Sequence, residues 1–374
     1  GYPTMVGWDV DSGDQTGARS VAAEIANATK GQNGSIVLMH CGSSLTPLAL
    51  PGIIDFYATH GFSFETVPQL LNLSDPGAGW SPPSQPDAVP VRQLGVGDPQ
   101  PSWNGSPAID QAGNLHLAYE TPSGIAYGQD AAGTWESTTV ALSSQSNFVS
   151  RPSIALDPQG AVDLVYVSSA NTGSELVYQQ RSSSGAWSSP QSVANLAAPA
   201  STATITTDPS GQPVIAFARL AGPQSGIVLA RPGPAGWIQT RVPTTNQSFL
   251  GPSIAIDPTG AIYLVERRNG RSEVDLTTNG SGSWTTTALT SVPASAVPYA
   301  ALDPAGRLAV AIQPLFGGTI GLGVGPPAGP FTWSVVTSAG DLSGLAIGPG
   351  GSPRVAFSRI AQVDGPSRIW LAGR

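Results

Sequence analysis

The chain has 374 residues, 40% hydrophobic and only 11% charged, with 45 glycines, 35 prolines and a formal net charge of −8 at pH 7. A single lysine, Lys30, and the absence of any basic run or patch to neutralise phosphates argue against nucleic acid and an anionic membrane surface as partners. No stretch approaches the roughly 18 apolar residues of a membrane span, the lone Cys41 cannot form an intrachain disulfide, and the Gly/Pro punctuation predicts many short strands joined by tight turns.

In chain order, residues 1–75 alternate predicted strands and helices: strand "TMVGWDV", helix "ARSVAAEIANATKG", strand "GSIVLMH", helix "PLALPGIIDFYATHG", strand "FSFETV" and short helix "PQLLNL". Gly31 and Gly61 mark helix stops, and the alternation predicts a parallel β/α arrangement. Chemistry in such folds gathers at the carboxyl ends of strands, where Asp9 to Asp14 and His40 stand.

These residues also carry a resemblance. The D-S-x-D turn (Asp11, Ser12, Asp14), the L-x-H strand end (Leu38, His40) and the tail "ALPGIIDFYATHGFSFETVPQLL" resemble, in order and spacing, the last third of a polysaccharide deacetylase of the NodB-homology class, carbohydrate esterase family 4. The resemblance covers residues 1–75, a fifth of the chain. It implies zinc-dependent removal of N-acetyl groups from an amino-sugar polymer by a secreted or cell-surface bacterial enzyme. His40 would be the general acid, Asp14 would pair with it and hold the imidazole protonated near neutrality, and Leu38, Asp11 and Gln15 would border the acetyl pocket.

The departures define the expectation further. Gln15 stands where the family has Trp, and Cys41-Gly42 where it has an Asp-Gly pair. Neighbours on a strand point to opposite faces, so Cys41 and His40 make no nucleophilic dyad. The family's metal-binding and catalytic-base motifs do not occur, and an Asp-plus-two-His site cannot be assembled from His40, His60 and His116. The expectation is a deacetylase piece lacking its front half, inactive alone, with no cofactor retained and no metal site, although an intact family member would hold zinc.

From residue 101 one unit recurs: "AIDQAGNLHLAY", "ALDPQGAVDLVY", "TTDPSGQPVIAF", "AIDPTGAIYLVE", "ALDPAGRLAVAI" and "AIGPGGSPRVAF". Its anchors, Asp110, Asp157, Asp208, Asp257, Asp303 and Gly348, lie 47, 51, 49, 46 and 45 residues apart. D-P-x-G is a type I turn signature, so the aspartates are turn formers rather than catalytic groups. Alternating strands such as "PSIAL" and "AVDLVYV" flank each turn, a third strand follows, and a Trp opens a fourth at Trp135, Trp187, Trp237, Trp284 and Trp333. Four antiparallel strands per period is one blade of a β-propeller. The sixth copy ends at Arg374 after three strands, and "GWSPPSQPDAVPVRQLG", with Trp80, supplies the missing one from the front, closing the ring.

The fold class expected is therefore mainly β, a six-bladed propeller preceded by a partial β/α segment. Residues 1–75 form the deacetylase-like piece, 76–100 the linker and closing strand, and 101–374 the repeats. The in-register Trp set reads as wedges between blades, and Trp103, outside that register, as a candidate ligand contact. Eleven residues past their anchors stand Arg219, Arg268 and Arg359, a candidate cluster for a carboxylated sugar. The repeat also resembles those of propeller lectins. A glycan or polysaccharide is the expected partner. The principal reading is a deacetylase fragment carrying a glycan- or partner-binding propeller; a non-catalytic lectin-like propeller and a sialidase-like hydrolase are the alternatives.

Overall fold

The computed structural model describes residues 7–14, 20–40, 46–65, 70, 91–94, 103–131, 134–144, 147–170, 173–196, 202–219, 225–243, 251–267, 273–290, 298–313, 319–337, 340–360 and 367–373. The chain divides into two compact units, residues 1–82 and 83–374.

In the first unit β1 (Val10–Asp11) pairs in parallel with β2 (Val37–Leu38), with α1 (Val21–Ala28) between them and α2 (Thr46–Thr59) after. Ser20 caps α1, its Oγ accepting from the Ala23 amide at 3.2 Å. Ala28, Ala49, Ile53 and Tyr57 form the small core. The two strands are shorter than the sequence pattern predicts, and residues 62–65 of "FSFETV" form no strand. The reason is local: the Phe62 amide donates to the Tyr57 carbonyl at 3.0 Å and the two rings meet edge to face, so the segment folds back on α2. Of "PQLLNL", all but Leu70 lies outside the described residues, as does Trp80.

The second unit opens with β3 (Val91–Gln93). Blade 1 holds β4 (Trp103–Ile109), β5 (Leu115–Thr121), β6 (Gly124–Ala131) and β7 (Thr134–Leu142); blade 2 holds β8 (Asn147–Leu156), β9 (Val162–Ala170), β10 (Gly173–Arg181) and β11 (Gln191–Leu196). Blade 3 holds β12 (Ala203–Thr207), β13 (Pro213–Arg219), β14 (Gly226–Gly233) and β15 (Gly236–Arg241); blade 4 holds β16 (Ser253–Ile256), β17 (Ile262–Arg267), β18 (Val274–Thr278) and β19 (Thr285–Thr290). Blade 5 holds β20 (Tyr299–Leu302), β21 (Leu308–Ile312), β22 (Ile320–Gly325) and β23 (Thr332–Thr337); blade 6 holds β24 (Asp341–Ile347), β25 (Pro353–Ile360) and β26 (Ser367–Ala372). Each sheet is antiparallel, and β3 completes blade 6 beside β26, Gln93 opposite Trp370. The inner strands β4, β8, β12, β16, β20 and β24 neighbour one another in turn, and β24 returns to β4. This is a closed six-bladed β-propeller. Its ring closure uses three residues of the predicted front segment.

Side-chain alternation explains why the middle strands read as near-continuous apolar runs: both faces of each blade are buried against neighbours. Along β13, Ile215 and Phe217 enter the cluster between blades 2 and 3, while Val214 and Ala216 enter that between blades 3 and 4. One such cluster fills every interface around the ring. Trp135, Trp187, Trp237 and Trp284 pack against these clusters as predicted wedges. Trp333 does not: it lies over Gly323 of its own blade, 37% exposed, and Phe331 takes its place against the cluster between blades 4 and 5.

The turn aspartates behave as turn formers. Asp157 Oδ1 accepts from the Gln159 and Ala161 amides at 2.9 and 2.7 Å, and Asp208, Asp257 and Asp303 repeat the pattern. Four residues before the anchor in blades 1 to 4, a hydroxyl stitches one inner strand to the next. Ser106 Oγ accepts from the Ile154 amide at 3.0 Å, Ser153 from Ile205 at 3.2 Å, Thr204 from Ile254 at 3.2 Å and Ser253 from Ala300 at 2.8 Å. This belt runs from blade 1 to blade 5. At the seam between blades 6 and 1 the place is taken by Gly344, where a Cβ would stand 2.4 Å from Pro107 Cδ and 2.9 Å from the Gly105 carbonyl oxygen. Only glycine admits so close an approach of β24 to β4.

Candidate functional site

In the first unit the parallel pairing of β1 with β2 sets the two strand ends side by side and brings Asp14 to His40. Asp14 Oδ1 meets His40 Nδ1 at 2.8 Å, and Oδ2 accepts from the His40 amide at 2.6 Å and from Thr46 Oγ1 at 2.8 Å. The Asp14 side chain is inaccessible, whereas that of His40 is 34% exposed. Burial works against the Asp14 charge, but hydrogen bonds from the His40 ring and amide and from Thr46 outweigh it and hold the carboxyl well below the usual carboxylate range. The Asp14 carboxylate holds the imidazole with Nδ1 toward itself and leaves Nε2 as the other ring nitrogen. Such a dyad is competent to move a proton.

The other predicted residues of this unit are placed differently. Asp11 is exposed, and its carboxylate accepts from the Gly13 amide at 2.8 Å, a turn contact. Leu38 lies half-buried in β2, opposite Asp11. Gln15 and Cys41 lie outside the described residues. Thr46, at the start of α2, escaped the sequence reading because it belongs to no recognisable motif, and Asp9, placed by that reading at a strand end, ties Ser35 and the Ile36 amide to β1. Among the described residues no three His, Cys, Asp or Glu side chains converge. His60 is engaged with its own helix, Nδ1 lying 2.7 Å from the Phe56 carbonyl and the ring stacked on Phe56.

On the propeller the predicted arginines are not shown as a cluster. Arg219 Nη2 donates to Gln239 Oε1 at 2.5 Å, and Gln239 Nε2 donates onward to the Val193 carbonyl at 2.8 Å, a bolt from blade 3 to blade 2. Arg268 lies outside the described residues, as do the side chains of Arg359 and Trp103, whose backbones sit in β25 and β4.

A cavity of about 550 Å³ opens between blades 2 and 3, at the end of the interface that carries the Asp157 and Asp208 turns. Tyr178, Gln180, Gln191, Gln212, Ser188 and Trp237 are among its lining residues. The Tyr178 and Trp237 rings stand edge to face, 4.9 Å apart. Behind them Asp163 is fully buried, and its Oδ1 accepts from Tyr178 Oη at 2.5 Å and from Gln180 Nε2 at 3.0 Å. Asp163 Oδ2 has no hydrogen-bond partner among the described residues. Burial raises the Asp163 pKa against the two hydrogen bonds that lower it, and the Asp157 charge adds to the rise. The neighbouring interface repeats the plan: at the position equivalent to Asp163 stands His116, whose Nδ1 lies 2.5 Å from Tyr127 Oη, and Tyr127 meets Trp187 edge to face. Arg181 lies over the Tyr127 ring at 5.2 Å. In blade 3 the equivalent residue is the buried, apolar Val214. The equivalent residues of blades 4, 5 and 6 are Tyr263, Ala309 and Arg354, and Asp163 had no motif by which sequence inspection could find it.

No family profile and no curated protein matches the chain. Solved structures do resemble it. A protein of unknown function from Dyadobacter fermentans is 12% identical, with a TM-score of 0.59 over 76% of this chain and 99% of that one. The Hadza microbial sialidase is 14% identical, with a TM-score of 0.56 over 73% of this chain and 65% of that one. The Aleuria aurantia lectin, in complex with Fucα1-6GlcNAc, is 12% identical, with a TM-score of 0.53 over 72% of this chain and 91% of that one. At these identities the likeness establishes a shared propeller fold.

Proposed function

We propose that this protein is a carbohydrate-binding propeller, and that the cavity between blades 2 and 3 takes a sugar residue of a glycan or polysaccharide. The observation that carries this is the cavity lining: the aromatic surface of Trp237 and Tyr178 beside the amides of Gln180, Gln191 and Gln212, with Tyr178 and Gln180 fixed from behind by buried Asp163. Sugars present apolar C–H faces and a rim of hydroxyls, which is the complement of an aromatic wall with amide donors and acceptors. The lectin neighbour was solved with a fucosylated glycan, so fucosylated and N-acetylglucosamine-containing oligosaccharides are the first probes. Gln191 and Gln212 have exposed side chains. The Gln191→Ala/Gln212→Ala double variant should lose glycan-array binding by at least tenfold with an unchanged thermal midpoint. A full chain that binds no glycan, or a double variant that binds undiminished, refutes the proposal.

A second reading rests on Asp14 and His40. Their pairing supports descent of the first unit from a secreted polysaccharide deacetylase, with His40 as the proton donor. Without a three-ligand metal set among the described residues the expected activity is nil. The measurement is acetate release from chitin oligosaccharides with added zinc. Release that disappears in His40→Ala would make deacetylation the principal function.

A further inference from the structure

Five blades open their turn with an aspartate, and each is a control for the others. In all five, Oδ1 accepts from amides of its own turn. Oδ2 is left over, and four blades commit it to a residue of the same blade. Asp110 Oδ2 accepts from Asn114 Nδ2 at 2.8 Å, Asp257 Oδ2 from Tyr263 Oη at 3.1 Å and Asp303 Oδ2 from Arg307 Nε at 2.7 Å. Asp208 Oδ2 faces Arg231 Nη1 at 3.6 Å. Asp157 is the exception: its Oδ2 has no hydrogen bond or ion pair among the described residues. Asp157 also lines the cavity between blades 2 and 3.

The place from which a partner would come is differently filled in this blade. Six residues past the anchor, Tyr263 serves Asp257 in blade 4, and His116 Nε2 stands 3.6 Å from Asp110 Oδ2 in blade 1. Blade 2 has a second carboxylate there, Asp163, whose Oδ1 lies between Tyr178 Oη and Gln180 Nε2. The cavity is thus acidic with no base to offset it: of the described residues that line it, Asp157 alone is charged. The cations beside it are engaged elsewhere. Arg231, next to the lining residue Pro232, faces Asp208, and Arg181, next to Gln180, lies over the Tyr127 ring at 5.2 Å. The aromatic wall of Tyr178 and Trp237 points the same way, since ring faces attract a cation as well as the C–H face of a sugar. Gln180 spends its Nε2 on Asp163, so the atom it has left for a ligand is Oε1, again an acceptor.

We propose that the sugar taken by this cavity is a hexosamine with a free ammonium group, such as a glucosamine residue of a de-N-acetylated polysaccharide, and that the ammonium pairs with Asp157 Oδ2. The inference rests on the glycan reading of the cavity and names its substrate class. An ammonium brings a charge and three donors to a wall that offers a carboxylate oxygen and amide oxygens, and the bond to Asp157 is a charge-assisted one. An N-acetyl group in the same place would exchange that charge for one neutral N–H. A uronic or sialic acid would set its carboxylate against Asp157 as a like charge, which selects against acidic sugars.

The experiment titrates the full chain with the glucosamine tetramer, the N-acetylglucosamine tetramer and cellotetraose in a calorimeter, in buffer acidic enough to protonate the amine and not the carboxylate. Asp157→Asn and Asp257→Asn are measured alongside. The glucosamine tetramer should bind at least tenfold more tightly than either neutral tetramer, and its affinity should fall as salt is added. Asparagine keeps an oxygen for the turn amides, so the thermal midpoint of Asp157→Asn should match that of Asp257→Asn. Its glucosamine binding should nevertheless weaken at least tenfold, while Asp257→Asn, the same change at a turn outside the cavity, binds like the wild type. If Asp157→Asn folds less well than Asp257→Asn, the ranking of the three tetramers and the salt dependence decide. Equal or tighter binding of a neutral tetramer, binding indifferent to salt, or undiminished binding in a folded Asp157→Asn overturns the proposal and leaves the glycan reading standing. A chain that binds no tetramer and nothing on the glycan array overturns both.

Discussion

Removing one hydroxyl of the inner belt should destabilise the propeller measurably, and Ser253→Ala is the sharpest case. Ser253 is buried and its Oγ accepts from the Ala300 amide at 2.8 Å, with Ala300 itself buried. Alanine removes the acceptor and leaves that amide unpaired away from water, which costs about 1–3 kcal/mol. For a domain of this size roughly 2 °C of thermal midpoint accompanies each kcal/mol, so the expected drop is about 2–6 °C. The assay is urea and thermal unfolding followed by near-ultraviolet circular dichroism. Ser253→Thr, which keeps the hydroxyl, and Ser281→Ala, on an exposed turn, are the controls and should move the midpoint little. Ser153→Ala belongs to a non-adjacent stitch, and the double variant should be additive to within about 0.5 kcal/mol. If Ser253→Ala unfolds like the Ser281→Ala control, the belt contributes nothing and the ring is held by inter-blade packing alone.

Two further outcomes follow from the same geometry. Gly344→Ala places a methyl group against Pro107 and the Gly105 carbonyl, where backbone must yield; a loss of roughly 1–3 kcal/mol is expected from overpacking, and its midpoint should fall well below that of an alanine at exposed Gly350. Asp163 carries a raised pKa in the folded state, so the folded protein binds the proton more tightly than the unfolded chain. Stability should therefore decline as pH rises from about 4, the ordinary carboxylate value, through the raised folded value, and Asp163→Asn should flatten that decline in urea titrations repeated across pH. A variant with the wild-type pH profile would refute the assignment.

The propeller was legible because its information is local and repeated. D-P-x-G turns at a fixed period, each between alternating strands, leave few other ways to bury both faces of every sheet, and the front-to-back closure followed from counting strands. The first unit was less legible. "FSFETV" has a strand pattern, but Phe62 finds Tyr57 of the preceding helix nearer than any sheet edge, and such tertiary competition has no signature in a short window. The wedge at Trp333 failed for a similar reason, since Phe331 two residues earlier competes for the same cluster.

The sites divide along the same line. Asp14 and His40 were found because a spaced motif names them, whereas Asp163 carries no motif and is conspicuous only against the repeat. Aligning the blades on their turn anchors already shows a Tyr where four blades carry Ser or Thr. What the alignment lacks is the meaning of each column: that four before the anchor is an inter-blade hydrogen bond, and six before it a left-handed entry to the ring. Once the structure assigns those meanings, a departure becomes a physical anomaly with a direction. Tyr299 forfeits a stitch and packs against the cluster between blades 5 and 6, and Arg151 accepts a left-handed backbone. A repeat protein thus carries an internal control for each position, and residues that break the rule at a cost to the fold are where binding should be sought first.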